Sequence, residues 1–210
     1  MRAKPRLLDL GCGAGGCSVG YARAGFEVVG VDIKPQPRYP FRFYQADMLT
    51  FPLDGYDALH VSAPCQRWSL ASCFHGVQDE YPDLLPPMRA RLQASGKLYI
   101  LENVVGAPLC NPVVLCGAQF GLRVYRHRLF ESNVLLFVPS HVRHYVKAAK
   151  PGAIANPGEF WSVGGHFGQK DEAQRAMGID WMVTQQEIAQ AVPPPVYRVS
   201  WWSVTWSGKG

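Results

Sequence analysis

A doubly wound α/β fold with a mostly parallel sheet is predicted by this sequence, and three observations carry the expectation. Short apolar runs alternate with helix-like stretches through the first half of the chain, the pattern that sets parallel strands side by side under helices on both faces. The first run, Arg6–Leu10, stops at Gly11-Cys-Gly-Ala-Gly-Gly16, which reads as a strand, a tight turn and a helix start. The second run, Phe26–Asp32, ends on a carboxylate and closes a strand–helix–strand unit.

The elements follow in order. A helix is expected from about Gly16 to Ala24, then strands over Phe41–Gln45 and Asp57–Ser62. The proline-rich stretch Asp83–Met88 is expected to interrupt the pattern, with a helix continuing to Gln93, before a fifth strand at Leu98–Asn103. After residue 111 the pattern changes to short β-like pieces and loops. Thr184 and Glu187 form a capping box, in which the two side chains satisfy free N–H groups at a helix start. The prolines at 193–195 are expected to stop that helix.

Composition narrows the class. The 210 residues are 48% hydrophobic and 18% charged, as in an ordinary globular protein with one core and unlike a disordered chain. No apolar run nears the roughly 20 residues of a membrane span, and the basic N-terminus leads into no apolar signal region. A cytoplasmic, membrane-free protein is expected. The six cysteines, at 12, 17, 65, 73, 110 and 116, form no CxxC pair and read as reduced thiols. The net charge of +5 is concentrated between Arg123 and Lys150, where six Lys/Arg face one acid, Glu131. That segment suits phosphate contact; a merely solvated basic surface is the alternative.

The glycine loop allows backbone amides to approach a ligand closely, and Asp32 is placed to accept hydrogen bonds from ribose hydroxyls. The literal G-x-G-x-x-G also fits NAD. Two details favour S-adenosylmethionine: Asp9 precedes the glycines, where a carboxylate can hold an α-amino group, and Asp47 follows the third strand, where it can meet an adenine amino group. A turn or cap role for Asp47 is an equal reading.

Cys65, in Ser62-Ala-Pro-Cys-Gln-Arg-Trp-Ser69, follows the fourth strand, at the edge where open α/β sheets build active sites. A thiolate there is a strong nucleophile if nearby positive charge lowers its pKa. Glu102 ends the neighbouring strand, where burial raises a carboxyl's pKa and fits it to donate a proton to a ring nitrogen. Arg126 and Arg128 flank His127 and share one face if extended, with fixed donors for a base carbonyl or phosphates.

DLGCGAGGCSVGYARAGFEVVGVD, APCQRWS, ENVVGAP and YRHRLFES, in this order and spacing, resemble the cytosine-5 DNA methyltransferases. The tail MGIDWMVTQQEIAQAVPPPVY is similar to the C-terminal catalytic segment of compact phage and bacterial members. The resemblance implies a Rossmann-like class I methyltransferase fold and methyl transfer from S-adenosylmethionine to carbon 5 of cytosine. It implies Cys65 as the nucleophile that adds to C6, Glu102 at N3 and the exocyclic amine, Arg128 at the base carbonyl and Arg126 as its support. It implies cofactor contacts from Asp9, Gly11, Gly13, Gly15, Gly16, Asp32, Ile33, Asp47, Met48 and Pro64. The partner implied is DNA with the cytosine flipped out of the stack, met by a monomer. Residues 1–131 are then the catalytic core, 132–165 a short basic recognition-like segment, and 166–210 a return to the core.

Four departures accompany the resemblance. Gly11 stands where the family usually has a phenylalanine against the cofactor, which predicts a weaker adenosine contact. Ala63 replaces the first proline of Pro-Pro-Cys. No Gly-Asn-Ser motif occurs near the C-terminus, where Tyr197–Trp202 stands instead. About 35 residues separate Arg128 from Gly165, so few side chains remain to read base edges and a short or relaxed target sequence is expected. His141-x-x-His144 with Cys110 or Cys116 lacks paired cysteines, so no metal is expected and the histidines read as surface or phosphate-facing. Trp201, Trp202 and Trp206 read as packing residues, with base stacking as the other possibility. RNA as the methyl acceptor, and a DNA-binding protein without catalysis, are the competing functions.

Overall fold

The computed structural model describes residues 3–150, 152–163 and 169–199. Seven strands form one sheet: β1 Arg6–Leu10, β2 Glu27–Asp32, β3 Arg42–Gln45, β4 Ala58–Ser62, β5 Leu98–Asn103, β6 Val113–Cys116 and β7 His127–Ser132. Their order is β3-β2-β1-β4-β5-β7-β6, with β7 antiparallel to its neighbours and the other pairs parallel. The strand order reverses between β1 and β4, which opens a crevice beyond their carboxyl ends.

Alternation along the strands supplies both faces. Leu7, Val28, Ala58 and Ile100 pack with Tyr21 of α1 (Gly16–Arg23) and Val196 of α6 (Pro194–Val199). Leu8, Val29, Leu59 and Leu101 pack on the other face with Leu85, Met88 and Leu92 of α3 (Leu85–Ser95). The short α2 (Leu70–His75) follows β4, with the Ser69 side chain accepting from the Ser72 N–H at its start.

Two expectations about proline are corrected. Pro86 and Pro87 open α3 instead of interrupting it, because the first helical turn has no partner for the N–H that proline lacks. Likewise α5 (Gln185–Gln190) stops at Ala191, before the prolines, and Pro194 and Pro195 begin α6. The capping box of Thr184 and Glu187 is present. Helix α4 (Lys170–Met177) was not foreseen.

The C-terminal segment builds a third core, in which Val124, Trp161, Ala173, Met177, Met182 and Ile188 surround Ala14 of the glycine loop. Trp181 Nε1 donates to the Ala14 carbonyl at 2.7 Å. Residues 133–150 contain no helix or strand. Trp201, Trp202 and Trp206 lie outside the described residues, as does Gly165.

Candidate active site

A cleft of about 550 Å³ lies at the switch point, walled by the glycine loop, the ends of β2, β4 and β5, and residues of α5. Gly11 has φ 76°, and a Cβ there would sit 2.3 Å from the Ser62 carbonyl oxygen and 2.8 Å from Met48 Cε. The room a phenylalanine would need at this position is therefore filled by β4 and Met48. Gly13 has φ 49° and open space where its Cβ would be, so a ligand can lie directly on the backbone. Its N–H donates to Asp32 Oδ2 at 3.0 Å, while the Lys34 N–H donates to Asp32 Oδ1 at 2.9 Å. Asp47 caps its own turn by accepting from the Leu49 N–H at 2.8 Å and still lines the cleft, as do Gly16, Ile33, Met48 and Pro64.

Three expected site residues stand elsewhere. Asp9 is fully buried and does not line the cleft. It accepts from the Ser18 hydroxyl, and its Oδ1 has no nitrogen or oxygen donor. Burial pushes its carboxyl up to about 7, so it holds the loop from behind. Gly15 caps α1 in a left-handed conformation beneath Tyr39 and Pro40. Arg126 is buried and donates to the carbonyls of Val163, at 2.5 Å, and Ala189. Its guanidinium clamps the C-terminal segment to the sheet.

Cys65, Glu102 and Arg128 meet at the cleft floor. Cys65 follows Pro64 and caps a single 3₁₀ turn, Gln66–Trp68. Burial pushes its thiol above the ordinary range, opposed first by the Arg128 cation; positive charge is present, but desolvation outweighs it. Glu102 is 5% exposed, and its Oε1 lies 3.1 Å from Arg128 Nε. Burial raises the carboxyl, against the pull of Arg128 and a hydrogen bond from Ser62.

Sequence reading missed the support beneath Glu102. Pairing of β4 with β5 sets Ser62 opposite Glu102. His60 Nε2 lies 3.0 Å from Ser62 Oγ, and the Tyr21 hydroxyl lies 2.9 Å from His60 Nδ1. Burial holds His60 down to about 3, so the ring is neutral. One arrangement satisfies the chain: Tyr21 donates to Nδ1, Nε2–H donates to Ser62, and Ser62 donates to Glu102. The signal was a histidine inside the apolar strand Ala-Leu-His-Val-Ser.

Two further features went unforeseen. Arg38 and Glu187, both lining the cleft, form an ion pair at 2.8 Å between its opposite walls. The histidines read as surface or phosphate-facing converge, with His127 joining His141 and His144 and with Cys116, not Cys110, as the thiol among them.

The sheet order and the cleft at its switch point define a class I methyltransferase fold. A prophage-encoded protein from E. coli described as a DNA modification methyltransferase aligns with TM-score 0.67 and 14% identity over 93% of this chain and 97% of its own. The S. pombe Dnmt2 methyltransferase aligns with TM-score 0.59 and 13% identity over the same shares. Residues 5–108 match the family model for C-5 cytosine-specific DNA methylase, so the family resemblance read from the motifs is borne out over that stretch. Similar sequences include the type II methyltransferases M.NgoMIV of Neisseria gonorrhoeae, 33% identical over 47% of this chain, and M.FnuDI of Fusobacterium nucleatum, 29% identical over 48%. Those matches span only 35% and 33% of the relatives' own lengths. Among the described residues no helix is long and apolar enough to cross a membrane.

The cleft fits S-adenosylmethionine. Gly13 leaves its backbone open to close approach, Asp32 and Asp47 offer carboxylates at the rim, and Ile33 and Met48 offer apolar surface.

Proposed function

We propose that the chain is a DNA cytosine-5 methyltransferase that acts through a covalent bond between Cys65 and C6 of a flipped-out cytosine. The observation that carries this reading is the meeting of Cys65, Glu102 and Arg128 at the floor of the cleft that the glycine loop and Asp32 border. In this reading Gly11, Gly13, Gly16, Asp32, Ile33, Asp47, Met48 and Pro64 hold the cofactor. S-adenosylmethionine, when bound, supplies an electrophilic methyl group.

The work of the side chains follows from their environments. The Cys65 thiol rests protonated because burial dominates, opposed by the Arg128 cation; it gives its proton to water as the sulfur attacks. The sulfur lone pair forms the bond to C6, and the C5–C6 π electrons move into the ring. Glu102, whose carboxyl is raised by burial, donates a proton to N3 and so neutralises the charge that develops there. Arg128 holds Glu102 in place and points remaining donors at the base carbonyl. With the methyl group on carbon 5, loss of the C5 proton to water restores the double bond and expels the thiolate, while N3 returns its proton to Glu102. Arg126 acts through position, by clamping the wall that faces the base.

The base cannot be reached inside a stacked duplex, so it enters single or flipped. The basic stretch Arg123–Lys150 supports backbone contact, and its one acid, Glu131, is already paired with Arg89 at 2.9 Å. A short or relaxed target sequence follows from the few side chains between β7 and residue 163.

Nucleoside mass spectrometry after incubation with S-adenosylmethionine and either DNA or RNA tests the proposal. 5-Methyldeoxycytidine from the parent protein, absent with Cys65→Ala, is the expected result. Product in RNA alone would overturn the DNA assignment. No product in either, with DNA still bound, would overturn catalysis.

A further inference from the structure

We propose that Cys116, His127, His141 and His144 form a structural zinc site. Strand pairing sets Cys116 of β6 directly opposite His127 of β7. The loop that follows β7 brings His141 and His144 back over this pair. His127 Nε2 lies 3.1 Å from His141 Nε2, and Cys116 Sγ lies 3.5 Å from His144 Nε2. All four donor atoms fall within 4.8 Å of one another. A tetrahedral zinc ion with Zn–N of about 2.1 Å and Zn–S of about 2.3 Å separates its ligand atoms by about 3.3–3.6 Å. The cluster needs only small side-chain rotations to close on one ion.

The chemistry of the donor set selects the metal. Three imidazoles and one thiol, with no carboxylate, suit zinc and exclude magnesium and calcium as good occupants. Four protein ligands leave no open position, which defines a structural and not a catalytic ion.

The surroundings support the ligands as outer partners do in metal sites. Backbone N–H groups of Ala118 and Arg126 reach the Cys116 sulfur and orient it. Tyr125 stacks on the His144 ring at 3.7 Å, nearly parallel. Gln119 ties the two sides together: its Oε1 accepts from the Cys116 N–H at 2.6 Å and its Nε2 donates to the Pro139 carbonyl at 2.7 Å.

An ion here answers a structural need. Residues 133–150 have no helix or strand, and Leu135, Phe137 and Tyr145 on this stretch are exposed. Leu136, with Val134 and Val138 beside it, packs on the sheet core, while the stretch beyond them gains little from packing, and a metal supplies a cross-link there. It would fasten the stretch bearing Arg143, Lys147 and Lys150 to β7, which carries Arg128. The sequence concealed this, because the four ligands are spaced 11, 14 and 3 residues apart and no pair of cysteines announces them.

The test is a metal count on the full chain after zinc loading and exhaustive dialysis against metal-free buffer. One zinc per chain is expected from the parent and from Cys73→Ser and Cys110→Ser. The His141→Ala/His144→Ala double variant should retain almost none. Cobalt loaded in place of zinc should give a tetrahedral visible spectrum with a sulfur-to-cobalt charge-transfer band that Cys116→Ser removes. Chelation should speed proteolysis within 133–150 while the sheet stays folded by circular dichroism. A parent protein that keeps no zinc or cobalt overturns the proposal without recourse to any variant. So does a full equivalent retained by the double variant. Loss of DNA affinity in that variant, with no metal in the parent, would instead make the histidines backbone-contact residues.

Discussion

In β4 the residues Ala-Leu-His-Val-Ser send Leu59 and Val61 into one core and Ala58 into the other, and neighbours β1 and β5 do the same. Between 133 and 163 there is nothing comparable. That stretch is held by single long-range contacts: the Arg126 clamp on Val163, the short bridges Val124–Trp161 and Ala148–Phe160, and the Cys116–histidine cluster. The sheet region lines the cleft through Ser62, Cys65, Glu102 and Arg128, and the described residues of 133–163 lie outside its lining. In the proposed reaction the sheet region carries the reacting groups, and the later region carries the basic residues Arg143, Lys147 and Lys150. One is rigid because period-two patterning buries both faces; the other is held by scattered anchors, polar ones and the apolar Leu136, Trp161 and Val163.

The largest expected effect falls on the sheet region's chemistry. Cys65→Ala should lower methyl transfer by about 10⁴-fold or more, with cofactor binding and thermal stability unchanged. Glu102→Gln should cost about 10²–10³-fold, as expected for loss of a positioned acid. Single-turnover assays with calorimetric cofactor titration separate these from binding effects. A Cys65→Ala protein that still methylates cytosine ends the covalent mechanism.

Arg126→Ala probes the other kind of anchor and should act on stability before it acts on rate. The buried guanidinium makes two charge-assisted hydrogen bonds to backbone carbonyls, worth about 4 kcal/mol together. Chemical denaturation of Arg126→Ala should show that loss, with Arg126→Lys in between. Unchanged stability with collapsed activity would place Arg126 among the reacting groups and overturn the clamp.

How much of this was legible in the sequence follows the same division. Strands β1 to β5 could be read almost to the residue because each is a local pattern closed by glycine or a polar residue. Cys65, Glu102 and Arg128 were legible because each stands at a strand's carboxyl end or beginning, where the fold class itself points. That Arg126 would reach the Val163 and Ala189 carbonyls was not legible, since alternation alone cannot say which of two arginines a later carbonyl will capture. The placement of Asp9 behind the loop was not legible, because a carboxylate before a glycine loop is equally placed to face the ligand or the helix behind it, and Ser18 captured it. His60, the Arg38–Glu187 pair and the four-ligand cluster depend on contacts across many residues, which no window of sequence displays.

Acid titration sharpens the view of the sheet region, because two buried groups oppose each other there. Burial pushes Asp9 from 3.8 up to about 7 and His60 from 6.5 down to about 3. Folded Asp9 keeps a proton that the unfolded chain releases, so its contribution is complete below pH 3.8 and is lost as pH rises towards 7. Folded His60 refuses a proton that the unfolded chain accepts, so its contribution is complete above pH 6.5 and is lost as pH falls towards 3. Between 3.8 and 6.5 the two slopes oppose each other. Asp9→Asn should therefore add a slope of up to about 1.4 kcal/mol per pH unit, with stability rising as pH rises. His60→Gln should add the opposite slope. Urea titrations across that window decide it, and difference curves that stay flat for both variants would mean that neither group is buried in its stated charge state.

The smallest expected effect belongs to the Arg38–Glu187 ion pair, which joins the sheet region to α5 at the cleft. Arg38 follows β2 in the sheet region, and Glu187 caps α5 by accepting from the Val183 and Thr184 N–H groups at 3.0 and 2.9 Å. Because Glu187 is already fixed by that cap, Arg38 loses little rotamer freedom by pairing with it. The pair can therefore hold the cleft at one width. Its partial exposure limits the pair to about 1 kcal/mol, which converts to a threefold to fivefold weaker cofactor affinity in Arg38→Ala. Rate at saturating cofactor should not change, because no reacting atom is touched. Raised salt should erase the difference between parent and variant, since screening acts on partly exposed pairs. Cofactor titrations at low and high ionic strength measure both. If affinity is unaltered at low salt, the two walls are held by the Trp181–Ala14 bond and the third core alone, and the regions are joined by packing and not by charge.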